Sequence, residues 1–317
     1  VSEFTTLPDL ALRTLGGSVI AASDESFAER ESLIRPGRPG FQAHTFGAKG
    51  QVYDGWETRR RREPGHEWAL VRLGLPGVIR GVVIDTAWFR GNYPPHASVE
   101  ATAVEGYPTA AELEAADWVE IVPKSDLKGD AEHFFDVTDE RRHTHVRLNM
   151  FPDGGIARLR VHGDVRPDLT LYDGLGLDLA ALANGGLVVG CSNEFYSSPN
   201  NVIAPGLARH QAEGWETARR RDDGNDWLLI RLAGPGVVKL AEIDTTNLLF
   251  NAPGSVSITG TADGVTWSGL LPRTRLQPDT PHRFRIDDAP VVTHVRVDVY
   301  PDGGLARVRL HGSLRES

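Results

Sequence analysis

The sequence predicts an all-β protein made of two tandem β-sandwiches with a few short helices. Three observations carry that prediction: period-two alternation of apolar and polar residues, an abundance of turn residues, and one large internal repeat. Alternation is clear in His145-Val146-Arg147-Leu148-Asn149, Arg158-Leu159-Arg160-Val161-His162 and Ser255-Val256-Ser257-Ile258-Thr259, as in strands with one buried face. Gly 34 and Pro 20 in 317 residues punctuate these runs, and Pro-Asp-Gly-Gly recurs as a turn between two of them.

The repeat sets the domain organisation. Gly55-Trp56-Glu57-Thr58-Arg59-Arg60-Arg61-Arg62 returns as Gly214-Trp215-Glu216-Thr217-Ala218-Arg219-Arg220-Arg221 at an offset of 159, and Ile84-Asp85-Thr86 returns as Ile243-Asp244-Thr245 at the same offset. Thr144-His145-Val146-Arg147 and Pro152-Asp153-Gly154-Gly155 return at 149, so the first copy carries ten more residues around 105–117. Ser23-Asp24-Glu25 matches Ser192-Asn193-Glu194 at 169, so the first copy is also longer between Phe27 and Gly55. A period of about 150 residues is domain-sized and far too long for a solenoid, which gives domains 1–166 and 167–317, parted at Pro167.

Local signals fill in each copy. Six of the seven tryptophans pair between copies (Trp56/Trp215, Trp68/Trp227, Trp118/Trp267), and shared core positions are expected for them. Residues 10–15 and 177–184 read as short helices stopped by Gly-Gly, and 112–116 as one helical turn. Three histidine pairs recur (His133/His282, His145/His294, His162/His311) without metal-ligand spacing, so cross-strand partners or strand-end hydrogen bonds are the expected use.

Composition excludes several function classes. Hydrophobic residues at 40% and charged residues at 24% suit a globular chain. No apolar stretch approaches the roughly 20 residues of a membrane span. A net charge of -9 argues against nucleic acid as partner. The single cysteine, Cys191, excludes an internal disulfide framework and favours a cytoplasmic location. It follows an apolar run, where a buried inert thiol is expected. Nucleophile-elbow, phosphate-loop and dinucleotide motifs are absent.

If the arginine run is a strand, Arg59 and Arg61 point to one face and Arg60 and Arg62 to the other. A guanidinium facing the ligand suits a small carboxylate, whose two oxygens match its planar fork. Asp85 and Asp244 each end an apolar strand, where a carboxylate can face a cleft and move protons. Asp153 and Asp302, inside the Pro-Asp-Gly-Gly turns, read as turn caps.

The repeated Gly-Trp-Glu-Thr run followed by Gly65-His66-Glu67-Trp68 resembles the allantoicase family. The resemblance continues through Asp85-Thr86-Ala87-Trp88-Phe89-Arg90-Gly91-Asn92-Tyr93-Pro94 and Phe151-Pro152-Asp153-Gly154-Gly155-Ile156-Ala157-Arg158, and covers essentially the whole chain. It implies two jelly-roll repeats of galactose-binding-like type and hydrolysis of allantoate to ureidoglycolate and urea. Allantoate as the small-molecule partner and a homo-oligomeric assembly are the accompanying expectations. That substrate carries one carboxylate and two ureido groups on a single carbon. Arg60 or Arg61 is then expected to hold the carboxylate, Asn92 to hold a ureido group, and Glu57, Asp85 or Glu25 to do the acid–base work. The second copy has Leu248, Phe250 and Asn251 where the first has Phe89, Gly91 and Asn92. Its retained Glu194, Glu216, Arg219, Arg220, Asp244 and Asn251 are expected to contribute to binding. The scheme demands no cofactor and leaves room for a carboxylate-bound divalent ion. The competing expectation is a non-catalytic tandem sandwich binding a small ligand or carbohydrate. Such a module exposes loop aromatics for stacking, whereas tryptophans that recur as core residues favour the enzyme.

Overall fold

The computed structural model describes residues 3–315, and the chain divides into two compact units, Val1–Arg166 and Pro167–Ser317. In the first unit the long strand Glu67–Asp85 serves both layers of a jelly-roll sandwich. Its first half runs antiparallel between Ser18–Ala22 and Arg142–Phe151, and its second half between Arg158–Val165 and Glu132–Asp136. The register breaks between Arg72 and Gly77, where the strand changes partners. His96–Thr102 and Val119–Asp126 extend the first layer beyond Arg142–Phe151. The second unit repeats the plan around Asp226–Asp244, with Leu187–Cys191 and Val292–Tyr300 on one half and Arg307–Leu314 and Pro281–Arg285 on the other.

The period-two pattern becomes the core directly. Ala97, Val99 and Ala101 on one strand and Val146, Leu148 and Met150 on its neighbour are all fully buried. Trp56 and Trp215 are fully buried too, and truncating either to alanine is expected to cost about 3–5 kcal/mol. The other two tryptophan pairs depart from the core expectation. Trp68, Trp118 and Trp227 are half-buried and Trp267 is 41% exposed. Trp68 lies on the outward side of its sheet, opposite Asn149, while its chain neighbour Ala69 faces inward.

The helical segments are shorter than the sequence suggested. Within 10–15 and 177–184 only Arg13–Leu15 and Leu182–Asn184 turn, each as a 3₁₀-helix closed by a left-handed glycine (Gly16 φ 99°, Gly185 φ 98°). The preceding backbone is bound elsewhere. Leu10 N donates to Val161 O at 2.7 Å, Asp9 Oδ1 takes Ala11 N at 3.1 Å, and Leu177–Asp178 pairs as a strand with Arg307–Leu314. The helix in the ten-residue insertion spans Ala110–Glu114, begun by a capping box between Thr109 and Glu112. Cys191 is half-buried, and burial together with nearby Glu194 pushes its thiol pKa up. Among the described residues no helix is long and apolar enough to cross a membrane.

Candidate active site

Glu57 stands on the two-residue strand Trp56–Glu57, which pairs with Gly155–Ile156 at the end of the Pro-Asp-Gly-Gly turn. Trp56 anchors it from below, its indole Nε1 donating to Asp24 O at 2.8 Å. On the other edge Glu57 N donates to Ala28 O and its carbonyl accepts from Ala28 N at 3.1 Å. The two glycines of the turn make the site compact. Gly154 (φ 145°) and Gly155 lie so close to the loop at 92–94 and to Phe89 that a Cβ on Gly155 would sit 2.1 Å from the Phe89 ring. Gly155 N donates to Asn92 O at 2.7 Å, which fixes the Asn92 backbone beside the strand. The Asn92 Nδ2 then donates to Glu57 Oε1 at 2.7 Å. Burial pushes the Glu57 carboxyl above its ordinary range, and the Asn92 bond opposes that shift without cancelling it.

The second unit rebuilds the same pair. Glu216 Oε1 accepts from Asn251 Nδ2 and from Gln211 Nε2, and Gly304 N donates to Asn251 O at 2.9 Å.

The arginine run is a loop, not a strand, which overturns the expected alternation. Its amides are taken by carboxylates in place of a ladder: Arg59 N donates to Asp24 Oδ1 at 2.8 Å and Arg61 N to Asp153 Oδ2 at 2.6 Å. Asp153 is therefore a cap, but of a distant loop. The four arginines separate by partner. Arg61 is committed, with Nη1 on the buried carboxylate of Glu67 at 3.0 Å and Nη2 on Pro64 O, and Ser23 Oγ donates to the same Glu67. Arg59 pairs with Asp24 at 3.7 Å. Arg60 and Arg62 are exposed and have no ion pair among the described residues. The second unit copies the committed arginine: Arg220 N donates to Asp302 Oδ2 at 2.5 Å and Arg220 Nη2 pairs with Asp226 at 3.3 Å, while Arg219 is exposed.

The remaining predicted residues do not join the Glu57–Asn92 pair through hydrogen bonds. Asp85 is buried, and its Oδ1 accepts Ala87 N at 2.8 Å, so it caps the turn that follows its strand. Burial pushes its pKa up, and nearby Glu132 adds to the shift. Asp244 does the same for Thr246, accepting both its N at 2.8 Å and its hydroxyl. Glu25 is held by Arg30, through N at 3.1 Å and Nη1 at 3.2 Å. Glu194 is exposed. Among the described residues no three His, Cys, Asp or Glu side chains are grouped to hold a metal ion.

Sequence reasoning missed the aromatic wall. Beside Asn92 lies a pocket of about 230 Å³ lined by Phe41, Tyr53, Trp88, Arg90 and Gly91. Phe41 and Trp88 stack at 5.3 Å, and Tyr53 stacks on Phe89 at 4.9 Å. Trp88 adopts φ 70°, held by Asp130 on its N–H at 2.8 Å and by Pro39 O on its indole at 3.0 Å. Asn247 repeats the φ of 70° in the second unit, where it carries no ring to stack.

Fold and site together define a tandem jelly-roll protein in which each unit presents a buried-edge glutamate hydrogen-bonded to an asparagine. A family model described as the allantoicase repeat matches residues 8–166 and again 177–315. A probable allantoicase of Nocardia farcinica is 59% identical over 315 residues, covering 98% of this chain and 95% of that relative. The allantoicase of Dictyostelium discoideum is 42% identical over 96% of this chain and 86% of its own length. The crystal structure of allantoicase from Saccharomyces cerevisiae superposes with a TM-score of 0.84 at 34% identity, covering 98% of this chain and 96% of that chain. The chain belongs to the allantoicase family.

Proposed function

We propose that this chain hydrolyses allantoate to ureidoglycolate and urea, with Glu57 as its acid–base residue. The observation that carries the reading is the Glu57–Asn92 pair, half-buried beside an aromatic pocket in a member of the allantoicase family.

The chemistry needs one C–N bond broken and one water added at the same carbon. Ionised Glu57 takes the N–H proton of the ureido group that stays. The nitrogen lone pair forms a C=N bond as the other C–N bond breaks, and protonated Glu57 returns the proton to the departing urea nitrogen. Glu57, ionised again, takes a proton from water, the hydroxyl adds to the carbon, and the imine nitrogen recovers the proton. One carboxylate serves both halves, and atoms and charge balance. A burial-raised pKa makes it a stronger base for this work. Asn92, which lines the pocket, holds the carboxylate in place by its hydrogen bond. Arg60 is assigned to the substrate carboxylate, because Arg61 is already neutralised by Glu67 and Arg60 recurs as Arg219.

Family membership favours this enzyme over a non-catalytic binding module. A cytoplasmic location and a homo-oligomeric assembly belong to the same proposal, the first supported by the free thiol of Cys191. Incubation with allantoate, with carbon NMR following the central carbon, should show one ureidoglycolate and one urea per substrate consumed. An inert substrate over a broad pH range would sink the assignment.

A further inference from the structure

The outward side of the first unit's sheet carries a cleft of about 360 Å³ that the hydrolytic scheme does not use. Two rows of side chains line it across paired strands, Trp68, Asn149 and Ser98 in one and Arg147, Glu100 and Glu120 in the next, and His66, packed against Phe151 at 4.7 Å, completes the lining. Asn149 is 4% exposed, and its Nδ2 donates to Ser98 Oγ at 3.2 Å and Glu100 Oε2 at 2.8 Å. Its Oδ1 is buried and accepts no hydrogen bond, an acceptor waiting for a donor. Arg147 Nε also donates to Glu100 Oε2, at 2.6 Å, which leaves Oε1 able to accept. Glu120 is exposed and has no ion pair among the described residues.

The second unit shows what fills the same place there. Arg296 and Asp298 stand where the first unit has Arg147 and Asn149. The Arg296 guanidinium lies 4.7 Å over Trp227, the counterpart of Trp68, and is chelated by Asp298 at 2.9–3.1 Å. In the first unit Arg147 turns the other way and lies 4.5 Å over Trp118. Trp68 and Asn149 are thereby left lining the cleft, and Glu120 replaces Gly269.

We propose that this cleft is a second ligand site, for a small molecule bearing a guanidinium group. The planar cation takes the place over Trp68 that Arg296 takes over Trp227. Its N–H donors go to Asn149 Oδ1, Glu100 Oε1 and Glu120. With Arg147 already paired to Glu100, the unpaired carboxylate of Glu120 disfavours an anion such as allantoate, so the site is independent of the hydrolytic assignment.

The test uses the whole chain labelled with 5-fluorotryptophan and titrated with methylguanidinium chloride against sodium chloride at matched ionic strength. The Trp68 fluorine resonance, assigned with Trp68→Phe, should shift saturably with a midpoint on the order of millimolar. Glu120→Gln, an exposed change, should raise that midpoint about fivefold. Arg296→Ala should make the Trp227 resonance respond as well, because it opens the equivalent place. A silent Trp68 overturns the proposal, and a responding Trp227 in Arg296→Ala would show that the probe itself works. An unchanged midpoint in Glu120→Gln, or an equal response to urea, also overturns it.

Discussion

Glu57 and Asn92 meet across 35 residues of chain because a glycine turn lets the loop at 92–94 come down onto the strand that carries Glu57. The pH behaviour follows from that contact. The base proposed at Glu57 must be ionised to act, and burial raises its pKa, so the acid limb of kcat/KM should lie above the usual carboxylate range. The Asn92 bond stabilises the anion, so Asn92→Ala should move the limb to still higher pH; a limb that stays put or moves down would remove Asn92 from the role given to it. For Arg60, removal of a charge-assisted contact worth about 1.5–3 kcal/mol predicts that Arg60→Ala raises KM by roughly 10–100-fold with a smaller change in kcat. Steady-state kinetics with allantoate decides it. A KM left unchanged would return the carboxylate to another cation.

The loop at 58–61 is the element that sets these side chains apart. Asp24, Asp153 and Glu67 hold it by two amides and one guanidinium, and Ser23 braces Glu67. Arg61→Ala should therefore act on stability. It strands the buried Glu67 carboxylate and should cost about 3 kcal/mol, read as a lowered denaturant midpoint with an unchanged slope. Loss of substrate affinity without loss of stability would contradict the division between Arg60 and Arg61. This element also marks where the sequence was legible. Glu57, Asn92, Glu216 and Asn251 could be found because they recur at matching offsets inside long shared motifs. The partners of the arginines could not, since Asp153 lies 92 residues from Arg61 and the run looks like a strand until those partners are known. Phe41 and Tyr53 left no trace either, because they sit in the segment between Phe27 and Gly55 that is longer in the first copy. Period two revealed the strands but not which face of a sheet a tryptophan takes, and so Trp68 read as core.

At the scale of the whole molecule, duplication has kept the scaffold and let the two sites diverge. Both units retain the glutamate–asparagine pair, the committed arginine and the capped strand end. Only the first unit builds the Phe41–Trp88 wall. The second has Asn247 and a Phe250 that is 97% exposed where the first has Trp88 and Gly91. The catalytic proton transfer is accordingly assigned to the first unit. Glu216→Gln should keep the greater part of the wild-type kcat, and a loss as deep as that of Glu57→Gln would mean that both pairs move protons. The most direct test of the central claim is urea release from allantoate by the wild-type chain and by Glu57→Gln, with circular dichroism and thermal midpoint confirming that both are folded. Steady urea release is expected from the wild type, with a loss of about 10²–10⁴-fold in the folded variant. Wild-type turnover by Glu57→Gln, or no urea from either protein, would contradict it.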